Sequence, residues 1–234
     1  MRIKWSALVS DVRGKLNGSV ASKNRYGSYL RNKVTPTNPQ TASQMRVRGT
    51  FGAISRLWGG LTDSQRKAWE TFSQKNKISN IFGDLVTLQG NAMFQRCNMN
   101  LSKIDVPYIS VPGFPLPPAI IEDAKIAVTK VDKDITVMDA SVVFDGIPGE
   151  GNVIVVYATP PISAGRSFTK NELRLIAFGT VDERSATTEI DILNKYSEIF
   201  GTVLEDGEHI DARVAIVDIK TGIQSPPFPA RMEL

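Results

Sequence analysis

Apolar side chains between residues 41 and 104 recur with the period of an α-helix. One stripe has spacings of four, three and four residues and consists of Val47, Phe51, Ile54 and Trp58. Such spacing places the side chains on a single helical face, and Gly59 and Gly60 predict where the helix ends. We therefore expect a first helix that begins near Thr41 and packs this stripe against neighbouring helices.

Two more helices are predicted in the same region. Thr62 and Gln65 have the spacing of a capping box, in which the hydroxyl and the amide satisfy free backbone donors at the start of a helix. A third helix is predicted near Leu88–Leu101. The apolar side chains of these two helices are Ala68, Trp69, Phe72, Phe94, Cys97 and Leu101. The stripes indicate mutual packing of the helices rather than a ligand pocket, with Cys97 as a small core residue.

The first forty residues have little apolar content and no sustained helical period. Two strand-like pieces, Ser19–Lys23 and Ser28–Lys33, flank the turn residues Asn24–Gly27. Asparagine and glycine accept the positive φ angles of tight hairpin turns, so a small β-hairpin is expected here. The piece lacks the apolar side chains for a core of its own, which predicts an extended arm over residues 1–40.

From residue 119 onward the pattern changes to short β-strands. Met138, Ala140, Val142 and Phe144 occupy alternate positions, as in a half-buried strand. Other strand patterns lie at Ile126–Val128, Val153–Tyr157, Leu173–Phe178, Thr187–Ile190 and Ala212–Ile219. Short strands separated by glycine and proline turns predict an antiparallel β-sandwich of the immunoglobulin or fibronectin-III type. The expected fold class is therefore α+β.

Five prolines between residues 105 and 118 predict an extended, semi-rigid connector. The expected organisation is a basic arm with a hairpin at 1–40, a helical region at 41–104, a linker at 105–118 and a sandwich at 119–234. Within the sandwich, Ile192–Phe200 is expected to form a helical turn. The segment Pro226–Pro229 is expected to end the last strand, because proline cannot donate to a ladder.

Charge is unevenly distributed along the chain. The net charge of +4 is composed of +9 in residues 1–50, +3 in residues 51–102 and −8 in residues 103–234. Segments of opposite sign suggest parts with different neighbours, although an arm and a sandwich can also differ in surface charge without a functional reason. The single cysteine excludes an internal disulfide or a multi-cysteine zinc site and indicates a reducing cytoplasm or a particle assembled there.

The chain offers little that points to catalysis. Its one histidine, His209, ends the acidic turn Glu205–His209, and a nucleophilic pair or triad would have to use it. The carboxylates of Glu205, Asp206 and Glu208 could hold a hard cation, but a solvated acidic turn is favoured. No phosphate-binding loop is present in the sequence. We therefore expect a non-enzymatic protein without cofactor, metal or small-molecule substrate.

The basic arm is the main functional candidate. Its candidate contact residues are Arg13, Lys15, Lys23, Arg25, Tyr26, Tyr29, Arg31 and Lys33. These cations and tyrosines could neutralise phosphates and stack on bases. They could equally dock on an acidic protein surface, including the acidic sandwich of a neighbouring copy. Both alternatives stay open, with the protein partner favoured.

Two stretches resemble motifs of uncharacterised virion proteins of tailed bacteriophages, including phages of Bacteroidetes and crAss-like relatives. Gly14–Gly27 reads GKLNGSVASKNRYG and is followed by the segment from Arg31 to Gln44, with its two prolines; Trp58–Trp69 reads WGGLTDSQRKAW. Asn91–Phe94 is a near match to a third element, Asn-x-Phe. The resemblance covers about residues 14–100 and implies no catalytic residues.

The resemblance implies a structural component of a phage virion, assembled in the host cytoplasm. We favour a ring subunit of the neck or portal–tail region that assembles through its arm, with portal, tail or capsid subunits and copies of itself as partners. Alternatives are a capsid decoration or cement protein and, in another class, a nucleic-acid-binding module that contacts packaged DNA. A carbohydrate-binding or hydrolytic tail component would need clustered exposed aromatics, whereas Tyr157, Phe168 and Tyr196 are scattered. No membrane partner is expected.

Overall fold

The computed structural model describes residues 12–24, 27–79, 83–114, 120–146, 149–163, 165–166, 168–181 and 185–233. Contacts within the chain divide it into two compact units, Met1–Met45 and Arg46–Leu234. The described residues contain four α-helices and several antiparallel sheets. The predicted α+β class is therefore confirmed.

The first unit contains a three-stranded antiparallel sheet. Its strands are β1 (Gly14–Leu16), β2 (Ser19–Asn24) and β3 (Gly27–Asn32), in that order across the sheet. Asn17, with a φ of 50°, and Gly18 form the tight turn between the first two strands. The two predicted hairpin strands are confirmed as β2 and β3, whereas β1 was not predicted because three residues carry too little pattern. The predicted turn residues Arg25 and Tyr26 lie outside the described residues.

Three helices follow: α1 (Ala42–Gly60), α2 (Asp63–Lys75) and α3 (Gly90–Lys103). The first ends at the predicted glycine pair. The capping box of α2 is also confirmed, since the backbone N–H of Gln65 donates to Thr62 Oγ1 at 3.3 Å and that of Thr62 donates to Gln65 Oε1 at 2.8 Å. A short hairpin of β4 (Ile78–Ser79) and β5 (Leu85–Val86) separates α2 from α3.

The helices share an apolar cluster. Its buried members are Ile54, Trp69, Phe72, Met93, Phe94 and Cys97. The predicted burial of the whole α1 stripe is wrong in part: Ile54 is fully buried, but Val47 and Phe51 are 56% and 48% exposed. The reason is that apolar side chains of α2 and α3 meet α1 only around Ile54 and Trp58. The N-terminal half of the stripe therefore faces solvent.

The larger sheet is built from seven strands and carries one further helix. The elements are β6 (Ile121–Val131), β7 (Asp134–Phe144), β8 (Asn152–Ala158), β9 (Arg174–Thr180), β10 (Thr187–Asp191), α4 (Leu193–Phe200), β11 (Ala212–Asp218) and β12 (Phe228–Glu233). Every strand pattern predicted after residue 119 coincides with one of these strands, and α4 confirms the predicted helical turn. Strand β12 was not predicted.

The strand order in this sheet is β10-β7-β6-β12-β11-β8-β9. All neighbours are antiparallel except β12, which runs parallel to β6. Side chains from both halves of the sheet and from α4 contribute to a single apolar core. The arrangement is compatible with a β-sandwich.

Strands β8 and β11 are buried on both faces. Their outward-facing Val153, Val155 and Val217 pack with Leu101 and Ile104, at the end of α3. Continuous β-branched runs are expected for strands covered on both sides. The C-terminal end of α3 therefore lies against the outer face of β8 and β11.

The segment Pro226–Pro229 does not end the ladder, so this expectation is wrong. Strand β12 starts at Phe228 and pairs with β11 from Phe228 to Ala230, and then with β6 from Arg231 onward. Pro229 is the second residue of this strand, and the pairs with β6 begin two residues later. Its missing N–H therefore falls at a strand start, where proline is tolerated.

Candidate functional site

The three-stranded sheet determines which of the predicted contact residues lie together. Lys15 pairs with Val20, and Val20 pairs with Arg31 on its other side. Tyr29 is two residues from Arg31 on the same strand and pairs with Ser22. Directly paired residues share a face of a sheet, as do residues two apart on one strand. Lys15, Tyr29 and Arg31 therefore share one face, called the cationic face below.

Lys23 lies on the opposite face of the same sheet. It alternates with Ser22 along β2 and shares its face with Ala21, which is buried, and with Leu30. Arg13 and Lys33 flank the sheet, just before β1 and just after β3, where the backbone N–H of Lys33 donates to Gly18 O at 2.8 Å. Arg25 and Tyr26 lie outside the described residues. The structure therefore brings together three of the eight predicted residues.

The cationic face belongs to a stretch without carboxylates. No aspartate or glutamate occurs between Asp11 and Asp63, so the charges of Lys15 and Arg31 are not neutralised by acidic neighbours in sequence. Both side chains are exposed. An ammonium, a guanidinium and a phenol on one small surface can donate hydrogen bonds to carboxylates or phosphates.

His209 lies beside a carboxylate. Its backbone pairs with Ile162 in both directions at 2.9 Å, and its Nε2 is 3.9 Å from Asp211 Oδ1. Thr169 Oγ1 donates to the other oxygen of Asp211 at 2.5 Å. Asp211 thus stands between the hydroxyl and the imidazole, whereas acyl transfer needs the imidazole in the middle. These three side chains do not form that arrangement.

Cys97 is packed among apolar side chains of the helical cluster. Burial raises the pKa of its thiol to about 12, with Arg96 opposing the shift and Asp218 adding to it. A thiol with such a pKa stays protonated at neutral pH and is a poor nucleophile. The environment is that of a core residue, as its place in the helical stripe predicts.

Two of the three carboxylates in the acidic turn Glu205–Glu208 pair with lysines. Lys130 Nζ donates to Asp206 at 2.7 Å and Lys133 Nζ donates to Glu205 at 2.5 Å. The hydrogen bond from Lys130 lowers the pKa of the Asp206 carboxyl. Among the described residues, no group of three or more histidine, cysteine or acidic side chains is arranged to hold a metal ion.

A cleft of about 540 Å³ lies between the helices and the sheet of the second unit. The polar and charged residues that line it include Asn76, Lys77, Arg96, Asn152, Asp218 and Gln224. The carboxylate of Asp218 accepts hydrogen bonds from the Lys220 N–H at 2.9 Å and the Thr221 hydroxyl at 2.6 Å, within its own loop. The cleft could not be predicted from a local motif, because the residues that line it come from segments far apart in the sequence.

Among the described residues, no helix is long and apolar enough to cross a membrane. No protein-family model matches the chain, and no curated protein or solved structure is significantly similar to it.

Proposed function

We propose that this protein is a structural component of a tailed-phage virion, a ring subunit of the neck or portal–tail region that assembles through its basic arm. The resemblance of residues 14–100 to phage virion proteins suggests that this protein belongs to such a particle. The observation that carries the assembly role is the cationic face, on which Lys15, Tyr29 and Arg31 lie together in a stretch without carboxylates. Residues 103–234, with a net charge of −8, supply a partner of opposite sign.

A closed ring needs head-to-tail contacts between two unlike surfaces of the same chain. The cationic face of the first unit and the net negative charge of residues 103–234 provide such a pair. Charge complementarity also orients the encounter, because like-charged surfaces repel. Such a contact holds copies of the protein together without a catalysed reaction, as expected of a structural component of a particle.

We further propose that the seven-stranded sheet is a sandwich of the immunoglobulin or fibronectin-III type. Its order joins the first, second and fifth strands in one half and the third, fourth, sixth and seventh in the other. The sandwich described for constant immunoglobulin domains pairs its fourth strand with the fifth. Here β9 pairs with β8 instead, as in the fibronectin-III variant. The parallel contact of β6 with β12 joins the two halves.

Mass determination by light scattering tests the ring. We would compare the full-length protein with a variant that lacks residues 1–40, at low and high salt. We expect the full-length chain to form a discrete oligomer, which the deletion should abolish. High salt should weaken the oligomer, because the proposed contact is between opposite charges. If both proteins remain monomeric at either salt concentration, the self-assembling ring is wrong, and a capsid decoration protein becomes the better proposal.

A second candidate function is contact with packaged DNA. The neighbouring Lys15 and Arg31 favour it, because their cations can neutralise phosphates, and Tyr29 beside them could stack on an exposed base. Replacing Arg25 and Arg31 would then lower DNA affinity and flatten its salt dependence. Under the ring proposal the same replacements impair assembly in the absence of DNA.

A further inference from the structure

The N-terminal half of α1 carries an apolar stripe that is not covered. At about 3.6 residues per turn, Val47, Phe51, Ile54 and Trp58 lie on one line along the helix. The C-terminal part of the stripe is packed: Ile54 is fully buried, and the ring of Trp58 lies 5.4 Å from that of Phe94. The N-terminal part of the stripe consists of the exposed Val47 and Phe51. Adjacent exposed apolar side chains can form a docking surface.

The charges around this stripe restrict its partner. Arg46 and Arg48 flank the stripe on its two sides, and Arg56 lies on the opposite side of the helix. The helix Ala42–Gly60 contains no aspartate or glutamate. Two copies of α1 would therefore repel one another, and a partner must combine carboxylates with an apolar surface.

The outer face of β7 and β10 has this composition. Asp139 and Asp191 lie directly opposite one another on these strands, and Glu189 is two residues from Asp191 on the same face. On the neighbouring β6, Asp123 and Lys125 lie on the same face, opposite Val143 and Ser141. The face of these three strands therefore carries four carboxylates and one ammonium, and this excess of negative charge attracts a cationic partner. Val137, 44% exposed, adds an apolar side chain two residues from Asp139.

We propose that Val47 and Phe51 of α1, with their flanking arginines, dock on the outer face of β7 and β10 of a second copy of this chain. This inference rests on the proposed ring and names a second contact within it, besides the cationic face. The two surfaces are unlike, so each copy uses its helix on one neighbour and its sheet on the other. Such a head-to-tail contact closes a ring when the rotation between copies permits.

Complementation between two full-length variants tests the contact. The helix variant carries Arg46→Glu, and the sheet variant carries Asp139→Lys with Glu189→Lys. Each variant alone brings like charges together, and we expect at least about a tenfold rise in the dissociation constant of the oligomer. An equimolar mixture restores attraction, because the reversed helix meets the reversed sheet. We expect the mixture to regain the mass of the wild-type oligomer by light scattering.

Matched variants separate this contact from general charge effects. Arg56→Glu changes the same helix on its opposite side, and Glu150→Lys changes an exposed residue in the turn before β8; both should assemble as the wild type does. Phe51→Ser should weaken assembly at high salt as well as low, because the stripe contributes apolar burial.

The outcomes distinguish the inference from the ring proposal. If the full-length protein forms an oligomer that deletion of residues 1–40 abolishes, while the helix and sheet variants assemble normally, the ring stands and the α1 contact is wrong. Failure of the mixture to regain mass, when each variant alone is defective, also overturns the pairing. A monomeric wild type overturns both.

Discussion

Asn98 and Ile109 are joined by a reciprocal pair of hydrogen bonds. Asn98 Nδ2 donates to Ile109 O at 3.2 Å, and the backbone N–H of Ile109 donates to Asn98 Oδ1 at 2.8 Å. One residue further on, Ser110 O accepts a hydrogen bond from Trp69 Nε1 at 2.9 Å. The described part of the predicted linker, residues 105–114, is thus held against α2 and α3. The predicted boundaries of the linker stay a prediction.

Asn98→Ala should destabilise the protein strongly. Asn98 is completely buried, and its removal leaves the partly buried N–H and carbonyl of Ile109 without their partner. We expect the free energy of unfolding to fall by about 2 to 4 kcal/mol, measured by urea denaturation. Asn91→Ala, at an exposed position on the same helix, is the control and should change stability by less than about 0.5 kcal/mol. Equal effects of the two changes would contradict the role of the hydrogen bonds.

Gly222→Ala should be more disruptive than a glycine replacement at a comparable turn. Gly222 has a φ of 73°, and a Cβ there would lie 2.4 Å from the carbonyl oxygen of Cys97, in the backbone of α3. Gly207, with a φ of 85°, has open space around the same position. The left-handed backbone costs either alanine about 1 to 2 kcal/mol.

Only at Gly222 must the loop also separate from α3. That separation breaks the hydrogen bond from Asn100 Nδ2 to Gly222 O, which is 3.0 Å long. We expect Gly222→Ala to lose at least about 2 kcal/mol more than Gly207→Ala, by denaturant titration of both variants. Similar losses would mean that α3 and this loop are not in close contact.

The buried thiol of Cys97 should make stability fall as pH rises. Its pKa in the folded protein is about 12, above the ordinary value of 9.0, so the unfolded chain loses this proton first. The contribution of the protonated thiol to the free energy of unfolding is therefore fully present below pH 9 and is lost as pH rises toward 12. Between those values the expected slope is about 1.4 kcal/mol per pH unit for this one group.

Cys97→Ala supplies the control for the pH effect. This change removes the thiol. Above pH 9 the free energy of unfolding of the variant should therefore fall less steeply with pH than that of the wild type, by the slope given above. A change in stability at neutral pH does not affect this comparison. Burial also raises the pKa of Tyr196 from its ordinary 10.0, and this contribution is the same in both proteins. Denaturant titrations from about pH 8 to about pH 10 measure the difference. Parallel curves for the two proteins would contradict the assignment to Cys97.

Thr62→Ala should weaken the start of α2. It removes the hydroxyl that accepts from the N–H of Gln65, and we expect a loss of about 1 kcal/mol. Thr71→Ala, at an exposed position within the same helix, controls for the change of residue type and should be neutral or slightly stabilising. A thermal or urea denaturation curve distinguishes the two.

The helices and most strands were predictable because their signals are local. The Thr62–Gln65 box, the glycine pair after Trp58 and the alternation from Met138 to Phe144 each specify an element without reference to the rest of the chain. Strand β12 was missed because Pro226 and Pro227 precede it and Pro229 lies within it. Its pairing with β6 is also a contact across about one hundred residues. Such pairing has no signature within the strand itself.

The candidate site was predictable in composition but not in geometry. The excess of lysine and arginine before residue 50 is visible in the sequence, but the separation of Lys15, Tyr29 and Arg31 from Lys23 depends on strand register. The register of β2 with β3 separates Tyr29 and Arg31 from Lys23. Lys15 joins them only through β1, which the sequence pattern did not reveal. The exposure of Val47 and Phe51 could not be read from the stripe either, because periodicity shows which side chains share a face and not how far the partner helices reach.

Charge reversal on the two faces of the small sheet tests most directly whether the cationic face holds copies of the protein together. Arg31→Glu and Lys23→Glu make the same change of charge on adjacent strands of one sheet, but on opposite faces. We expect Arg31→Glu to convert the oligomer to monomers in light scattering at low salt, whereas Lys23→Glu leaves its mass unchanged. If the two variants lose mass equally, or neither does, the cationic face is not the assembly contact.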